Sequence, residues 1–361
     1  MKNLEAPPAP NNGGARGEGT KKHRRFSGPP SIGGGGGLLL LLLASLILAV
    51  GIGQVHLSPG EVWTGLRHGP NSLDSNAEIV WSRLPRVCLA ALVGASLAAA
   101  GVAFQSLLRN DLADPYLVGV SAGASVGSEA TILAHQEAAL GGFALPVAAF
   151  GAASAAMTVV YTLARRQGRV LVTSLLLVGV VVSAFLGGIS TLLMMFSRPN
   201  DAQYLQFRLN GSLQDATLGQ CGVTLGFLVA GLLILSVEAR AMNLFALGEE
   251  SAQQLGVETE RFKAVLIITG SLLTAATVAF AGIIGFVGLM SPHIARKLAR
   301  TPDHRIVLPL ATLGGSILMV WADTAARSLL PDGRELPVGI VTAFFGAIFF
   351  LYLLQRQGRT P

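Results

Sequence analysis

Ten apolar stretches, each close to the ~20 residues that span a bilayer core as a helix, run through this chain from Leu38 almost to its end. Their approximate limits are 38–55, 84–108, 113–133, 143–164, 171–196, 220–238, 262–281, 282–299, 305–328 and 337–355. Inside a bilayer every backbone amide and carbonyl has to be satisfied within the protein, so serial stretches of this length admit helices and closed barrels only. Their length selects helices. The expected fold is all-α: a polytopic membrane protein with about ten transmembrane helices. Composition agrees, because charged residues make up 13% of the chain and soluble domains carry about 25%. A chain so poor in charge cannot cover a water-facing surface. The 44 glycines suit helices that pack closely without a hydrophobic force between them.

Residues 1–37 are rich in Gly, Pro and Asn, carry the basic cluster Lys21–Arg25 and end in five glycines. Such a segment buries too little apolar surface to offset its chain entropy and is expected to be a disordered cytoplasmic tail. A basic stretch before an apolar one also describes a signal peptide. No small-x-small cleavage site precedes the next apolar segment, so 38–55 is read as a retained first helix. The membrane domain is then 38–355, with 356–361 a short second tail. Ten spans put both termini on one side. With both inside, nineteen Lys and Arg fall in cytoplasmic segments and seven outside, and this bias orients membrane proteins. The net charge of +6 thus reports topology in the cytoplasmic (inner) membrane rather than contact with nucleic acid.

The sequence contains a repeat. Gly94–Phe104 reads GASLAAAGVAF and Gly270–Phe280 reads GSLLTAATVAF, identical at seven of eleven positions, with Pro115 and Pro292 following. By helix parity the two copies run in opposite directions across the membrane. Inverted repeats of this kind are common in transporters.

Ionisable side chains are nearly absent from the middle of every stretch. Glu129 lies towards the outer end of the third, Glu238 at the inner end of the sixth, and Asp323 one turn before Arg327. Transporters driven by ions place such groups at mid-membrane, so the energy is expected to come from elsewhere. The chain has no GxxxxGK[ST] phosphate loop and no nucleophile–base or metal-ligand pattern, which points away from an enzyme and from a bound cofactor. Cys88 and Cys221 read as two small packed residues. His293 has no second ligand at a suitable spacing and reads as part of a helix-ending SPHIAR turn.

The segment RLPRVCLAALVGASLAAAGVAFQSLLRNDLADPYLVGVSAGASVG, Arg83–Gly127, resembles the signature of the FecCD/BtuC-type permeases of ATP-binding cassette importers. LGEESAQQLGV (Leu247–Val257), AGIIGFVGLMSPHIAR (Ala281–Arg296) and ELPVGIVTAFFGAIFF (Glu335–Phe350) extend the resemblance over about 38–355. It departs at Asp111, where the family usually has proline, and at Phe207–Leu213, which replaces an aromatic-x-x-Gly-Ser-Leu pattern.

The resemblance implies a non-enzymatic permease that carries a metal chelate and pairs with a second permease chain. Its other partners would be ATPase subunits and an extracytoplasmic substrate-binding protein. It also implies three sets of residues. Leu247, Gly248, Glu249, Glu250, Ala252, Leu255 and Gly256 would form the ATPase contact. The leucines and Ala252 would supply its apolar face, with the glutamates outside it. Asn110, Leu112, Thr173 and Ser174 would close the cytoplasmic end of the pathway, although Asn110 also suits a helix cap. Arg83, Arg86 and Arg327, at the outer ends of the second and ninth stretches, would receive glutamates of the binding protein. The plainer reading of these arginines is a snorkelling anchor at the lipid surface.

Iron-siderophore uptake is the leading expectation, with cobalamin or haem as alternatives within the class. A secondary transporter or channel is the alternative outside it.

Overall fold

The structure, a computed structural model, describes residues 33–53, 55–70, 74–136, 139–330 and 335–357. Residues 1–32 of the expected N-terminal tail and 358–361 of the C-terminal one lie outside the described residues.

Each of the ten apolar stretches contains a helix, and three further helices run between them. α1 (Gly33–Gly51) is followed by the amphipathic α2 (Pro59–His68) and by α3 (Ser75–Leu108). α4 (Val120–Leu133) and α5 (Ala144–Ala164) come next, then a hairpin of β1 (Arg165–Arg166) and β2 (Arg169–Val170). α6 (Val172–Phe196), α7 (Pro199–Leu209) and α8 (Leu218–Phe245) lead to the short α9 (Glu249–Gln254). The chain ends in α10 (Thr259–Ala281), α11 (Val287–Ala299), α12 (His304–Ser328) and α13 (Val338–Gln357).

Boundaries correct the sequence reading in two places. The glycines 33–37, expected in the tail, form the first turns of α1. Helix propagation from the leucine run carries them, because extending a helix costs far less than nucleating one. The third and eighth stretches are not single spans. α4 has 14 residues and α11 has 13, and at 1.5 Å per residue neither crosses a core of about 30 Å. Each follows a break in the α-helical backbone, 109–119, which holds only the 3-10 turn Pro115–Val118, and 282–286.

These two breaks stand in corresponding places of the repeat, and they meet. The amide of Ile284 donates to Tyr116 Oη at 3.1 Å. The break before α11 is further satisfied by the 209–212 loop, through Ile283 N to Leu209 O at 3.2 Å and Ser212 N to Ala281 O at 2.9 Å. Irregular backbone survives at membrane depth only when other protein groups pair it in this way.

The repeated helices α3 and α10 form the centre. Their apolar windows are 83% and 78% buried, whereas that of α6 is 11% buried. Close approach needs residues without a Cβ. A Cβ on Gly101 in α3 would collide with the carbonyl of Gly288 in α11, and one on Gly94 with that of Gly315 in α12.

Candidate functional site

One end of the bundle collects the C-terminus of α3, the hairpin, the start of α6, the α8–α9–α10 corner and the N-terminus of α12. The hairpin turns at Gln167 (φ 49°) and Gly168 (φ 82°), the left-handed pair that matches the twist of two short strands. It pairs Arg165 with Val170 and delivers the chain to α6 at Val172. Thr173 is exposed and Ser174 half-buried on the first turn of that helix.

Asn110 and Leu112 occupy the loop after α3. Asn110 does not cap the next helix. Its Oδ1 accepts from Leu112 N at 2.9 Å, closing a local turn, while α4 starts at Gly119 with no side-chain cap. Asp111 reaches sideways to Arg296 of α11, with an N–O distance of 3.2 Å. Arg109 stacks 5.9 Å from the ring centre of Phe245, the last residue of α8. Both segments expected to close the pathway therefore end beside the α8–α9–α10 corner.

At that corner the expected contact face divides. Leu247 and Leu255 are 66% and 57% exposed, and Ala252 is fully buried. Ala252 is thus core rather than surface, because its side of the six-residue α9 rests on the bundle. Glu249 also turns towards the bundle, to Lys263 at 2.8 Å, and Glu250 and Gly256 stay exposed with the leucines. Lys263 counted in the sequence only as topology charge. The i,i+3 spacing of Glu260 and Lys263 was a signal for their 2.5 Å pair, but nothing in the sequence brings Glu249 to it.

Nearby, Asp303 caps α12 by accepting from Arg305 N at 3.0 Å and takes a 2.6 Å bond from Asn243 Nδ2. Burial works to raise its pKa, but these bonds to Arg305 and Asn243 outweigh it and hold the carboxyl below the usual range.

The opposite end holds Arg83, Arg86 and Arg327, the residues expected to receive glutamates of a binding protein, and each already has partners within the chain. Arg83 Nη1 and Nη2 donate to Val50 O and Val55 O, each at 3.0 Å, tying α3 to the end of α1. Arg86 holds Asp323 through Nε and Nη2, at 3.0 and 2.9 Å to Oδ1, and Glu335 through Nη1 at 2.8 Å. Arg327, 8% exposed, donates to the Ala49 carbonyl and lies 3.7 Å from Asp323. Taking three guanidinium groups out of water requires such partners. Within this cluster three cations face two carboxylates.

His293 sits in the middle of α11 rather than at a helix-ending turn, edge-on to Phe349 at 5.9 Å. Among the described residues no three His, Cys, Asp or Glu side chains group as metal ligands. Both cysteines are free, with Cys221 buried and Cys88 half-buried.

Residues 40–356 match the model of the FecCD transport family. The chain belongs to that family. FecCD proteins are the permeases of ATP-binding cassette importers, which accounts for a bundle that carries its polar network at its two ends. A relative in Bacillus subtilis (strain 168), the uncharacterized ABC transporter permease protein YvrB, is 40% identical over 87% of this chain and 91% of its own length. The cobalamin import system permease BtuC of Halobacterium salinarum is 44% identical over 76% of this chain and 72% of its own length. The hemin transport permease HmuU of Yersinia pestis is 37% identical over 86% of this chain and 93% of its own. Among solved structures, an inward-facing conformation of a metal-chelate type ABC transporter matches with a TM-score of 0.76 at 27% identity. That match covers 90% of this chain and 98% of the other.

Proposed function

We propose that this chain is the channel subunit of an importer that carries an iron-siderophore-type chelate across the cytoplasmic membrane, driven by ATP hydrolysed on partner subunits. The observation that carries the reading is the meeting of the loop after α3, the hairpin leading into α6, and α9 at one end of the bundle. An importer powered from outside the membrane needs its energy input and its gate in contact, and Asn110, Leu112, Thr173 and Ser174 all lie on segments that reach that corner. Leu247, Glu250 and Leu255 then form the exposed part of the ATPase contact.

The Lys/Arg bias supports placing this end, with both termini, in the cytoplasm. The one cation in excess within the Arg83, Arg86 and Arg327 cluster supports the other end as the docking face for glutamates of a binding protein, paired at short range. Exposed apolar side chains along α6 and α13, among them Phe185, Met195, Phe344 and Phe345, support pairing with a second copy across the pathway. A cobalamin importer is the second reading, favoured by the 44% identity to the Halobacterium protein.

Reconstitution with ATPase and binding protein separates the two. ATP-dependent uptake of ferric chelates is expected. Uptake of cobalamin alone would select the second reading, and uptake without ATP would remove both.

A further inference from the structure

Lys263 stands in the first turn of α10 and is 1% exposed. Its ammonium has three donors, and all three are engaged: Glu249 Oε1 at 2.8 Å, Glu260 Oε1 at 2.5 Å and the Val170 carbonyl at 2.8 Å. Glu260 closes the ring from the other side, its Oε2 accepting from Val170 N at 2.8 Å. The cluster therefore joins three separate pieces of chain. Glu249 belongs to α9, Glu260 and Lys263 to α10, and Val170 to the hairpin strand that enters α6 three residues before Thr173.

A buried ammonium that releases one of these partners gives up a charge-assisted hydrogen bond in a poorly solvated place. Displacing Glu249 thus pulls on Lys263 and through it on the Val170 carbonyl. Val170 is itself 2% exposed and fixed to Arg165 by the strand pairing, so motion passes along the chain into α6 rather than being absorbed by a loose loop.

We propose that Lys263 is a positioning residue of the transport cycle, making α9 and the first turn of α6 move as one body. A shift imposed on α9 then reaches Thr173 and Ser174 directly. The proposal rests on α9 being the ATPase contact. It assigns the coupling to a buried side chain that faces neither the ATPase nor the transported molecule.

The test uses the assembled complex in proteoliposomes, with Cys88 and Cys221 replaced and Thr173→Cys as a reporter for a maleimide. Labelling is followed with and without ATP and vanadate, beside ATP hydrolysis and co-purification of the ATPase. In Lys263→Met the ATPase should still co-purify and hydrolyse ATP. The nucleotide-dependent change in labelling should fall about fivefold or more, the range of an ordinary coupling energy. Lys263→Arg, which keeps the charge, should keep the response. A full response in Lys263→Met overturns the proposal. If Lys263→Met fails to insert, Glu249→Ala decides, since that side chain is 40% exposed and its loss cuts only the tie to α9. Loss of the response there supports the proposal, and a full response overturns it. Deletion of 249–254 in parallel addresses the docking reading alone, which fails if the ATPase still co-purifies.

Discussion

Arg86 in α3 grips Asp323 in α12 across 237 residues of sequence, its Nε lying 3.0 and 3.1 Å from the two carboxylate oxygens. Asp323 is 1% exposed and also faces Arg327. One carboxylate therefore serves two cations. Glu335, which takes Arg86 at 2.8 Å, also accepts from Gln214 Nε2 at 2.8 Å, so the cluster draws the 209–217 loop and the approach to α13 onto α3.

Removing the shared carboxylate leaves Arg327 without one and Arg86 with Glu335 alone. Asp323→Ala should destabilise the detergent-solubilised protein by about 3–5 kcal/mol, the cost of breaking a buried pair from one side. Arg327→Met combined with Asp323→Leu should cost less than Asp323→Ala, since Arg86 keeps Glu335 and no buried arginine is left without a carboxylate. Thermal unfolding of the two variants beside the unsubstituted protein checks the order.

Arg83 differs from its two neighbours in having no carboxylate partner, only the Val50 and Val55 carbonyls. Arg83→Glu should therefore weaken capture of the binding protein and flatten its salt dependence, mainly through the association rate. Binding kinetics at two ionic strengths measure this, and unchanged rates would leave Arg83 as a purely internal tie.

Gly101 and Gly288 let α3 and α11 touch backbone to backbone. Gly101→Ala puts a methyl group against a carbonyl with no flexible side chain to yield. Overpacking of this kind costs about 1–3 kcal/mol and occasionally more. Gly222, with open space where a methyl group would stand, should accept alanine without loss. The two unfolding midpoints compared side by side test the contrast.

Asp111 replaces the proline usual at this place in the family and reaches Arg296 instead. Its carboxylate is 64% exposed, so the pair contributes only about 0–1 kcal/mol. Asp111→Pro should leave stability nearly unchanged but free the loop from α11. A cysteine at Leu112 should then react faster with a thiol reagent in the absence of nucleotide. Equal reactivity with and without the substitution would show that the ion pair does not restrain the loop.

How much of this was legible beforehand differs by level. Ten apolar stretches each yielded a helix, because burying or lipid-facing twenty apolar residues leaves the backbone one way to satisfy itself. The GASLAAAGVAF and GSLLTAATVAF copies became the two most buried spans for a related reason: small residues permit the close packing that a bundle centre requires. The order of motifs, and with it the family, was also readable, since motif order is a property of the linear chain.

What the sequence left open were distances between residues remote along it. Nothing local distinguishes a rim arginine from one folded onto Asp323, or tells that Glu249 turns inward while Glu250 faces out. A six-residue α9 is too short for periodicity to choose its buried side. The truncation of α4 and α11 was hidden likewise, because hydropathy records that a stretch is apolar and not that its backbone unwinds where Tyr116 meets Ile284. Composition and order along the chain thus determined that this protein is a ten-stretch helical permease. Tertiary packing alone decided which charges pair, because a buried charge takes its partner from whatever the fold brings within about 3 Å.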